Sequence, residues 1–480
     1  MTTNAMHKNY INGAFIDTPC DATIEVINPA NGASLSVIPN SSADVINTAV
    51  AAAKSAQTEW AAKPAIERAQ YLRQIATKLR ERKDHFARVI SAEQGKVLPL
   101  AETEVSFTAD YLDYMAEWAR RIEGEVITSD RVNETIMLQR KPIGVIGGIL
   151  PWNFPLLLIA RKLGPALVTG NCIVIKPSEE TPNNAYEFAK LVAETDLPAG
   201  VFNLVFGSGA TGAALCDNPD VGMVSFTGSV ETGKRIMQAC AKNITKVNLE
   251  LGGKAPAIVT SKANIDLAAK AIRDSRTINT GQACNCAERV YVERSVADEF
   301  LQKLTQAMSE TRFGDPLADQ DISMGPLVNK QGLDKVAAMV EAAKEQGAQI
   351  LCGGSVAKNT EGFHYLPTVM VVDDNTQAIM QKEIFGPVLP VMIVDSLDQA
   401  LAYANDSEYG LTSSIFSQDA DEIMKACRLL KFGETYVNRE HFEAMQGFHA
   451  GNRKSGIGGA DGKHGFYEYT ETHVIYWQSH

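Results

Sequence analysis

Two short motifs supply a thiol and a carboxylate, the groups that acyl transfer followed by hydrolysis requires. The first motif, at residues 249–254, reads LELGGK and holds Glu250 in an apolar turn edged by glycines. The second, at residues 281–286, reads GQACNC and carries Cys284 in a loop of small residues. A thiolate can form a covalent acyl intermediate, and a carboxylate base can activate the water that hydrolyses it. The pair therefore predicts catalysis through a thioester.

A third segment, PWNFP at residues 151–155, completes a set that resembles the aldehyde dehydrogenase superfamily over nearly the whole chain. The resemblance implies that Cys284 attacks an aldehyde to give a thiohemiacetal, and that hydride loss then leaves a thioester. It further implies that Asn153 and the Cys284 main-chain N–H donate to the oxyanion, and that Glu250 activates water. Cys286 is the less favoured nucleophile, because the superfamily thiol follows Gly-Gln-x. We also hypothesise that oxidation joins the two thiols reversibly.

The elements that must position these residues follow from the hydrophobic pattern. Helical spacing predicts helices at 43–62, 64–82 and 101–123. From Val145, short apolar runs alternate with helices, which predicts a parallel sheet in a doubly wound, dinucleotide-binding α/β layout. The predicted strands are 145–150, 172–176, 202–206, 223–226, 247–251 and 257–259, with helices at 183–194, 210–216 and 231–242. From Ile265, helices at 265–279, 296–310 and 330–345 with a strand at 289–292 predict a second α/β domain.

The chain has 480 residues, which exceeds the size of a single core, so several domains are expected. Segments 123–140 and 466–477 alternate polar and apolar residues as half-exposed strands do. In the superfamily such segments form a small sheet between subunits, so the resemblance implies a homotetramer or homodimer. The predicted parts are an NAD-binding domain (1–122 and 143–251), a catalytic domain (252–438), oligomerisation segments (123–142 and 460–480) and a returning substrate-pocket loop (439–459).

Composition excludes several classes of function. The chain has 45 basic against 57 acidic side chains, a net charge of −12, and no basic tract, so no nucleic-acid partner is predicted. Eight scattered cysteines are typical of reduced thiols, and no signal peptide is visible, so we expect a cytoplasmic protein. The uncharged run 142–160 contains three prolines, which argues against a membrane span. The pair Cys284 and Cys286 has no partner pair at zinc spacing, so no metal is predicted.

The cofactor side is predicted from turns that follow strands. Gly207, Gly209 and Gly212 match G-x-G-x-x-G, although a single match is a weak signal. The turn FTGS at 226–229 is stronger, because a helix start offers free N–H groups to a pyrophosphate and Ser229 adds a hydroxyl. An ordinary tight turn capped by Ser229 is the alternative.

Lys176 and Glu179 lie at the end of a predicted strand, the edge where open α/β sheets bind ligands. A carboxylate there accepts from a ribose 2′-hydroxyl and repels a 2′-phosphate, which favours NAD over NADP. A solvated Lys–Glu pair is the alternative. The resemblance adds Glu383 at the nicotinamide ribose and Phe385 beside the ring. The complete set of predicted cofactor contacts is Trp152, Lys176, Ser178, Glu179, Gly212, Gly228, Ser229, Gly233, Leu251, Glu383 and Phe385.

The substrate side departs from the enzymes that oxidise apolar aldehydes, which carry an aromatic residue where this chain has Arg161. Its planar fork at the pocket mouth would suit a carboxylate or hydroxyl oxygens. Succinate-semialdehyde dehydrogenases share that arginine, but they carry a second one where this chain has Ile278. The stretch 438–449 is similar to that of lactaldehyde and glycolaldehyde dehydrogenases. A pocket of Arg161, Asn285, Glu443 and His449 would bind an α-hydroxyl and reject aldehydes that lack it.

The predicted function is therefore NAD-dependent oxidation of a small α-hydroxyaldehyde to its acid. Several alternatives stay open at this point. Glu443 and His449 could be surface loop residues, as their polarity alone would indicate. The enzyme could oxidise succinate semialdehyde or a broad range of aldehydes. A CoA-acylating dehydrogenase is disfavoured by Glu250, and a non-catalytic scaffold is disfavoured by the intact set of Cys284, Glu250 and Asn153.

Overall fold

A computed structural model describes residues 6–18, 20, 22–358 and 360–480. Its strands are β1 (Asn9–Ile11), β2 (Ala14–Ile16), β3 (Thr23–Ile27), β4 (Ser34–Pro39), β5 (Glu125–Thr128), β6 (Glu134–Pro142), β7 (Val145–Ile149), β8 (Cys172–Lys176), β9 (Phe202–Leu204), β10 (Met223–Thr227), β11 (Lys246–Glu250), β12 (Ala255–Val259), β13 (Ala287–Glu293), β14 (Gln349–Cys352), β15 (Thr368–Val371), β16 (Val388–Val394), β17 (Thr412–Phe416), β18 (Glu434–Val437), β19 (Gly456–Ile457) and β20 (Thr470–Gln478).

The helices are α1 (Ala43–Ala62), α2 (Ala65–Glu81), α3 (Lys83–Gln94), α4 (Leu98–Glu117), α5 (Pro155–Thr169), α6 (Asn183–Ala193), α7 (Gly209–Asp217), α8 (Val230–Cys240), α9 (Ile265–Thr277), α10 (Arg294–Ser309), α11 (Lys330–Glu345), α12 (Ala378–Gln381), α13 (Leu397–Asn405), α14 (Ala420–Leu429) and α15 (Gly462–Tyr467). Short 3₁₀ turns lie at Trp118–Arg120, Ile278–Gly281 and Arg453–Ser455.

The first sheet has the strand order β19-β11-β10-β7-β8-β9-β1-β2. Its central strands, from β11 to β9, run parallel, and their apolar residues are buried on both faces by helices. This confirms the predicted doubly wound α/β layout. The predicted strand 257–259 corresponds to β12, which pairs with β13 and β17 in the second sheet and lies in the range predicted for the catalytic domain. A buried apolar run does not by itself say which of two sheets it joins.

The second sheet has the order β14-β15-β16-β13-β12-β17-β18 and is parallel except at the β14 edge. Its two faces carry separate apolar clusters, one centred on Ile258 and Tyr291 and the other on Val259 and Phe300. Helices α9 and α10 cover one face. The sheet therefore has a core of its own, distinct from that of the first sheet.

A third, antiparallel sheet has the order β20-β6-β5. Strands β20 and β6 pair in register from Thr470–Pro142 to Gln478–Glu134. Each strand overlaps one of the segments predicted to alternate and extends one or two residues beyond it, although residues 466 and 467 end α15 and 468 and 469 precede β20. Exposed apolar side chains on this sheet include Val126, Tyr476 and Trp477. Within the described residues, no helix is long and apolar enough to cross a membrane.

Several boundaries differ from the prediction for identifiable reasons. Helix α3 was not predicted, and it ends at Gly95, whose φ of 79° closes the helix with a left-handed residue. Helix α4 begins at Leu98 rather than at residue 101, because Pro99 is tolerated in a first turn. The predicted loop 439–459 includes β19, which adds an antiparallel edge to β11.

Candidate active site

The carboxyl ends of the first sheet's strands and the loop before β13 meet at a single cavity of about 470 Å³. Strands β10 and β11 pair in register at Thr227 and Glu250, so both side chains reach the same sheet edge. Cys284, Glu250 and Asn153 all line this cavity. Its wall also includes Trp152, Arg161, Gly228, Ser229, Leu251, Asn285, Glu383, Phe385 and Glu443.

The Cys284 loop is held in an unusual backbone conformation. Helix α9 ends at Thr277, two residues earlier than predicted, and three successive residues then have positive φ: Asn279 at 47°, Thr280 at 61° and Gly281 at 73°. Non-glycine residues in this region are strained, and such strain is concentrated at functional sites. Packing explains the glycine, because a Cβ on Gly281 would lie 2.3 Å from the Gly386 carbonyl oxygen.

The two thiols of this loop differ in their surroundings. Cys284 is partly exposed to the cavity, and its main-chain N–H has no acceptor among the described residues. Cys286 is fully buried, and its thiol contacts the Ala283 carbonyl oxygen at 2.9 Å. Burial raises the pKa of Cys286 to about 12. The geometry therefore favours Cys284 as the nucleophile, and both thiols are free.

Asn153 faces Cys284 from the loop before α5. Its side-chain Nδ2 donates to the Gln282 carbonyl oxygen at 3.1 Å, which leaves the second N–H of that amide available. Its main-chain oxygen accepts from Lys96 Nζ at 2.8 Å and from Asn279 Nδ2 at 3.0 Å. These bonds fix Asn153 to the nucleophile loop itself.

A buried ion pair holds the Asn153 segment in place. Lys96 pairs with Glu104, and both side chains are inaccessible to solvent. Glu104 Oε1 accepts from the main-chain N–H groups of Leu156 and Leu157 at 2.9 and 3.2 Å, so it caps the start of α5. Sequence reasoning missed this pair, because neither residue belongs to a recognisable motif.

Glu250 lies at the end of β11 with 6 % of its surface exposed. Its Oε2 accepts from Thr227 Oγ1 at 3.0 Å, and Thr227 in turn accepts from Lys162 Nζ at 2.9 Å. Burial lowers the pKa of Lys162 to about 8, although the charge of Glu250 acts in the opposite direction. A hydrogen-bonded chain therefore connects Glu250 to a buried amine that can lose a proton near neutral pH.

The turn before α8 has the form predicted for a phosphate site. Ser229 caps α8 by accepting from Thr232 N at 3.2 Å, and its side chain is exposed. A Cβ on Gly233 would lie 2.7 Å from Leu251, so the glycine lets α8 approach the Glu250 turn closely. Gly228 donates its N–H to the Glu250 carbonyl oxygen at 3.0 Å.

The remaining predicted nucleotide contacts lie outside the cavity wall. Lys176 ends β8, and its Nζ pairs with Glu179 Oε2 at 3.0 Å, with the Glu179 side chain 41 % exposed. Ser178 is buried and accepts from the Glu180 N–H at 3.3 Å. Gly212 lies in the first half of α7, where an added Cβ would meet only Ile149, at 3.7 Å. Its packing alone does not require glycine.

Glu383 and Phe385 border the cavity opposite α8. Glu383 Oε1 accepts from Gly253 N at 2.8 Å, whereas Oε2 has no partner among the described residues. Burial raises the pKa of Glu383 to about 7. Phe385 has a φ of 58° and packs edge-on against Trp152, with ring centroids 5.5 Å apart. Three of the predicted contacts thus lie side by side.

A fully buried carboxylate, missed by sequence reasoning, joins these segments to the nucleophile loop. Glu288 accepts from Lys254 Nζ at 2.9 Å and from Arg276 Nη1 at 2.8 Å. It also accepts from the N–H groups of Ile384 and Phe385 at 3.0 and 3.1 Å. Despite its burial, these two cations lower the pKa of Glu288 to about 2. Glu288 therefore stays ionised and links the turn after Glu250 with the Phe385 segment.

Arg161 differs from the prediction of a free fork at the pocket mouth. Its side chain is only 6 % exposed and is already paired. Nε and Nη2 donate to the two oxygens of Asp461 at 3.2 and 2.7 Å, and Nη2 also donates to Glu443 Oε1 at 2.6 Å. Although burial opposes it, the charge of Arg161 lowers the pKa of Glu443 to about 2. Arg161 is thus the centre of a buried ionic cluster.

Glu443 and His449 lie inside the protein rather than on its surface. Glu443 accepts a hydrogen bond from Asn285 Nδ2. The His449 ring is 2 % exposed, and its Nδ1 lies 2.6 Å from Glu434 Oε1. Burial opposes a charge on the ring, but contacts with Cys284 and Glu434 raise the pKa of His449 well above its ordinary value. Hydrogen bonds therefore join Arg161, Glu443 and Asn285 in the cavity wall, whereas His449 pairs with Glu434 and is not one of the residues that line the cavity.

Sequence reasoning missed Asp461 and Glu434, which complete this group. Asp461 stands 300 residues from Arg161 along the chain, in a glycine-rich stretch typical of a turn. The sequence holds no usable signal for Asp461. What distinguishes this residue is an acidic side chain on a backbone with glycine-like angles, and those angles cannot be read from the sequence.

Comparisons with known proteins agree with this geometry. The model of the aldehyde dehydrogenase family matches residues 15–475. The chain is 56 % identical to lactaldehyde dehydrogenase of Escherichia coli over 480 residues, which covers all of both chains. A crystal structure of lactaldehyde dehydrogenase from that organism superposes with a TM-score of 0.98 over the full length of both chains. A structure of 3,6-anhydro-L-galactose dehydrogenase, in complex with NADP, is 42 % identical, with a TM-score of 0.96, covering 98 % of this chain and 100 % of the other.

Proposed function

The chain belongs to the aldehyde dehydrogenase family, and we propose that it oxidises a small α-hydroxyaldehyde such as lactaldehyde or glycolaldehyde with NAD. One observation carries this proposal: Asn285 and Glu443 are hydrogen-bonded to each other in the cavity wall that also holds Cys284, and His449 contacts Cys284. This polar wall favours a substrate with a hydroxyl beside its aldehyde, since a hydroxyl can add a hydrogen bond to Glu443 that an apolar aldehyde cannot make. The full-length identity to lactaldehyde dehydrogenase supports the same substrate class.

The first step that we propose is attack of the Cys284 thiolate on the aldehyde carbon, which forms the C–S bond of a thiohemiacetal. The oxygen that gains charge would accept from the free N–H of the Asn153 amide and from the Cys284 main-chain N–H. Asn153 is well suited to this role, because Gln282 and Lys96 already hold it in place.

The residues along the cavity fit a dinucleotide. The α8 N-terminus and Ser229 provide donors for a pyrophosphate, and the unpartnered Glu383 Oε2 provides an acceptor for a ribose hydroxyl. When bound, the nicotinamide supplies the hydride acceptor that the oxidation requires. Trp152 and Phe385 would enclose the ring and exclude water from the thiohemiacetal carbon.

Deacylation is assigned to Glu250. Its carboxylate would take a proton from water, whose oxygen attacks the thioester and releases the acid with return of the Cys284 thiolate. Thr227 donates to Glu250 and holds it in place, and Lys162 in turn donates to Thr227. Because Glu250 provides a base for hydrolysis, a free acid is the expected product rather than an acyl-CoA.

The finer features of the protein belong to the same proposal. NAD is preferred to NADP because Glu179 would repel a 2′-phosphate, although the family as a whole uses both. The exposed apolar residues of the β20-β6-β5 sheet support the expected homo-oligomer. The domain division at residues 123, 143 and 252 and the cytoplasmic location are likewise proposed.

The test is the initial rate of NAD reduction with lactaldehyde, glycolaldehyde, propanal and succinate semialdehyde. We expect kcat/KM for the two hydroxyaldehydes to exceed that for propanal by at least about 100-fold. Equal values for propanal and lactaldehyde would refute the hydroxyl-binding pocket. Product analysis separates the remaining alternatives, because hydrolysis gives a free acid, CoA acylation gives an acyl-CoA and a scaffold gives no product.

A further inference from the structure

Asp461 combines features that packing alone does not require. It is fully buried, and it is a carboxylate rather than an apolar residue. Its backbone has φ 68° and ψ 162°, a region that is essentially restricted to glycine. Glycines are available on both sides of it in the sequence GGADGKHG, at residues 458–465, so the turn could have been made without strain. A strained, buried carboxylate indicates a function for that side chain.

The contact that the strain maintains is the two-point pairing with Arg161. Asp461 accepts from Nε at 3.2 Å and from Nη2 at 2.7 Å, which is the way a guanidinium fork binds a carboxylate. Glu443 takes a second bond from Nη2 at 2.6 Å. Asp461 therefore occupies the Nε–Nη2 edge of the guanidinium and Glu443 shares Nη2, so that Nη1 is the nitrogen left without an acceptor among the described residues.

The charges of this group lead to the same conclusion. Arg161 carries one positive charge, and Asp461 and Glu443 carry two negative charges around it. A substrate that brought a further carboxylate to this wall would meet repulsion from these two carboxylates and could bind Arg161 only through Nη1, not at two points. An uncharged hydroxyl, in contrast, can donate to Glu443 without displacing either ion pair.

We propose that Asp461 is a specificity-determining residue that masks Arg161. Without Asp461, the arginine in the pocket would favour an aldehyde with a terminal carboxylate. With Asp461, the pocket takes a neutral hydroxyaldehyde. This inference rests on the proposed function, since it explains how the same pocket excludes anionic aldehydes. It assigns the exclusion to one residue on the turn before α15, outside the cysteine loop.

The test compares kcat/KM for lactaldehyde and succinate semialdehyde in the wild type and in D461N. Asparagine keeps the side-chain shape but removes the negative charge that neutralises Arg161. We expect the ratio of succinate semialdehyde to lactaldehyde to rise at least about 10-fold, mainly through a lower KM for the anionic substrate. In D461N combined with Arg161→Met, the gain should disappear, because no fork is left to bind the carboxylate.

The control is D395N, which changes the net charge equally. Asp395 also pairs with an arginine through two bonds, to Arg294 Nε at 2.8 Å and Nη2 at 2.7 Å, but on the surface. Its substrate ratio should equal that of the wild type. Should D461N fold poorly, D461G serves instead, since glycine relieves the backbone strain and also frees the fork.

Each outcome has a definite meaning. A raised ratio that requires Arg161 supports the inference. A ratio that stays unchanged in both D461N and D461G overturns it, even if activity on lactaldehyde falls. If the wild type itself prefers succinate semialdehyde or propanal, the proposed function fails, and this result is visible before any variant is made.

Discussion

The two sides of the cavity handle charge in different ways. On the cofactor side, the proposed nucleotide contacts include main-chain turns and the pair of Lys176 and Glu179, whose carboxylate side chain is 41 % exposed. On the aldehyde side, Arg161, Glu443 and Asp461 form an ionic cluster in which no side chain is more than 14 % exposed. A surface ion pair contributes little, whereas breaking a buried one leaves an uncompensated charge.

This difference predicts how each side responds to substitution. On the cofactor side, Glu179 should tolerate the loss of its charge, because its side chain is exposed and water can replace it. On the aldehyde side, the loss of one charged group should lower both substrate selectivity and stability, because the buried charges of the cluster neutralise one another. Variants of the two sides therefore test whether binding of the nucleotide and recognition of the aldehyde are independent.

The sharpest separation of the two sides comes from Cys284→Ser. Without the thiolate no thiohemiacetal forms, so we expect kcat for aldehyde oxidation to fall by at least about 10⁴-fold. Nucleotide binding should stay within about twofold of the wild type, measured as quenching of tryptophan fluorescence by NAD, because the α8 turn and Glu383 are unaffected.

The matched control is Cys286→Ser, two residues away in the same loop. The Cys286 thiol is buried and faces the Ala283 carbonyl oxygen, so this variant should keep most of its activity. If Cys286→Ser is inactive and Cys284→Ser is active, the assignment of the nucleophile is reversed.

The next largest effect is expected from Asn153→Ala. One oxyanion donor contributes about 3 kcal/mol, so kcat should fall by about 100-fold or more. The side chain also donates to Gln282, and part of the loss could come from movement of the nucleophile loop. Alkylation of Cys284 by iodoacetamide reports on that movement. A normal alkylation rate with a lowered kcat supports the oxyanion role, whereas equal losses in both would contradict it.

The sequence predicted the catalytic motifs and the cofactor side of the cavity better than the aldehyde side. Ser229, Glu250 and Cys284 each lie in a contiguous motif whose residues meet because they are neighbours in the chain. The wider α/β layout was also predictable, since it depends on alternating apolar runs. The order of the strands within each sheet was not, because the apolar pattern of a buried strand does not identify the strands that pair with it.

The aldehyde side depends on contacts between distant residues. Arg161 and Asp461 are 300 positions apart, and Glu434 reaches His449 from a different strand. The family resemblance indicated that Arg161 would face a ligand, because enzymes that oxidise apolar aldehydes carry an aromatic residue at this position and succinate-semialdehyde dehydrogenases carry an arginine. It could not indicate that the fork is occupied, because that depends on the backbone angles of a single residue on the turn before α15.

Glu443→Gln tests whether the aldehyde cluster works as a unit. The neutral amide cannot balance the charge of Arg161, and it is a weaker acceptor for the Asn285 amide than a carboxylate is. We therefore expect kcat/KM for lactaldehyde to fall by about 30-fold. Propanal, which has no hydroxyl to bind, should lose less than about threefold. Thermal unfolding should shift to a lower midpoint, because a buried carboxylate partner has been lost. Equal losses for both aldehydes would show that Glu443 supports the fold but does not recognise the hydroxyl.

The smallest effect is expected on the cofactor side, from Glu179→Gln. The side chain is 41 % exposed and its ion pair with Lys176 contributes little to stability, so the unfolding midpoint should not change measurably. Removal of the charge should nevertheless lower the repulsion of a 2′-phosphate, and kcat/KM with NADP should rise about five-fold relative to NAD. Asp17→Asn removes an exposed carboxylate paired with Lys8 and should leave the nucleotide ratio unchanged. If Glu179→Gln instead lowered stability or altered the choice of aldehyde, the two sides of the cavity would be coupled, and the separation that the charges indicate would be wrong.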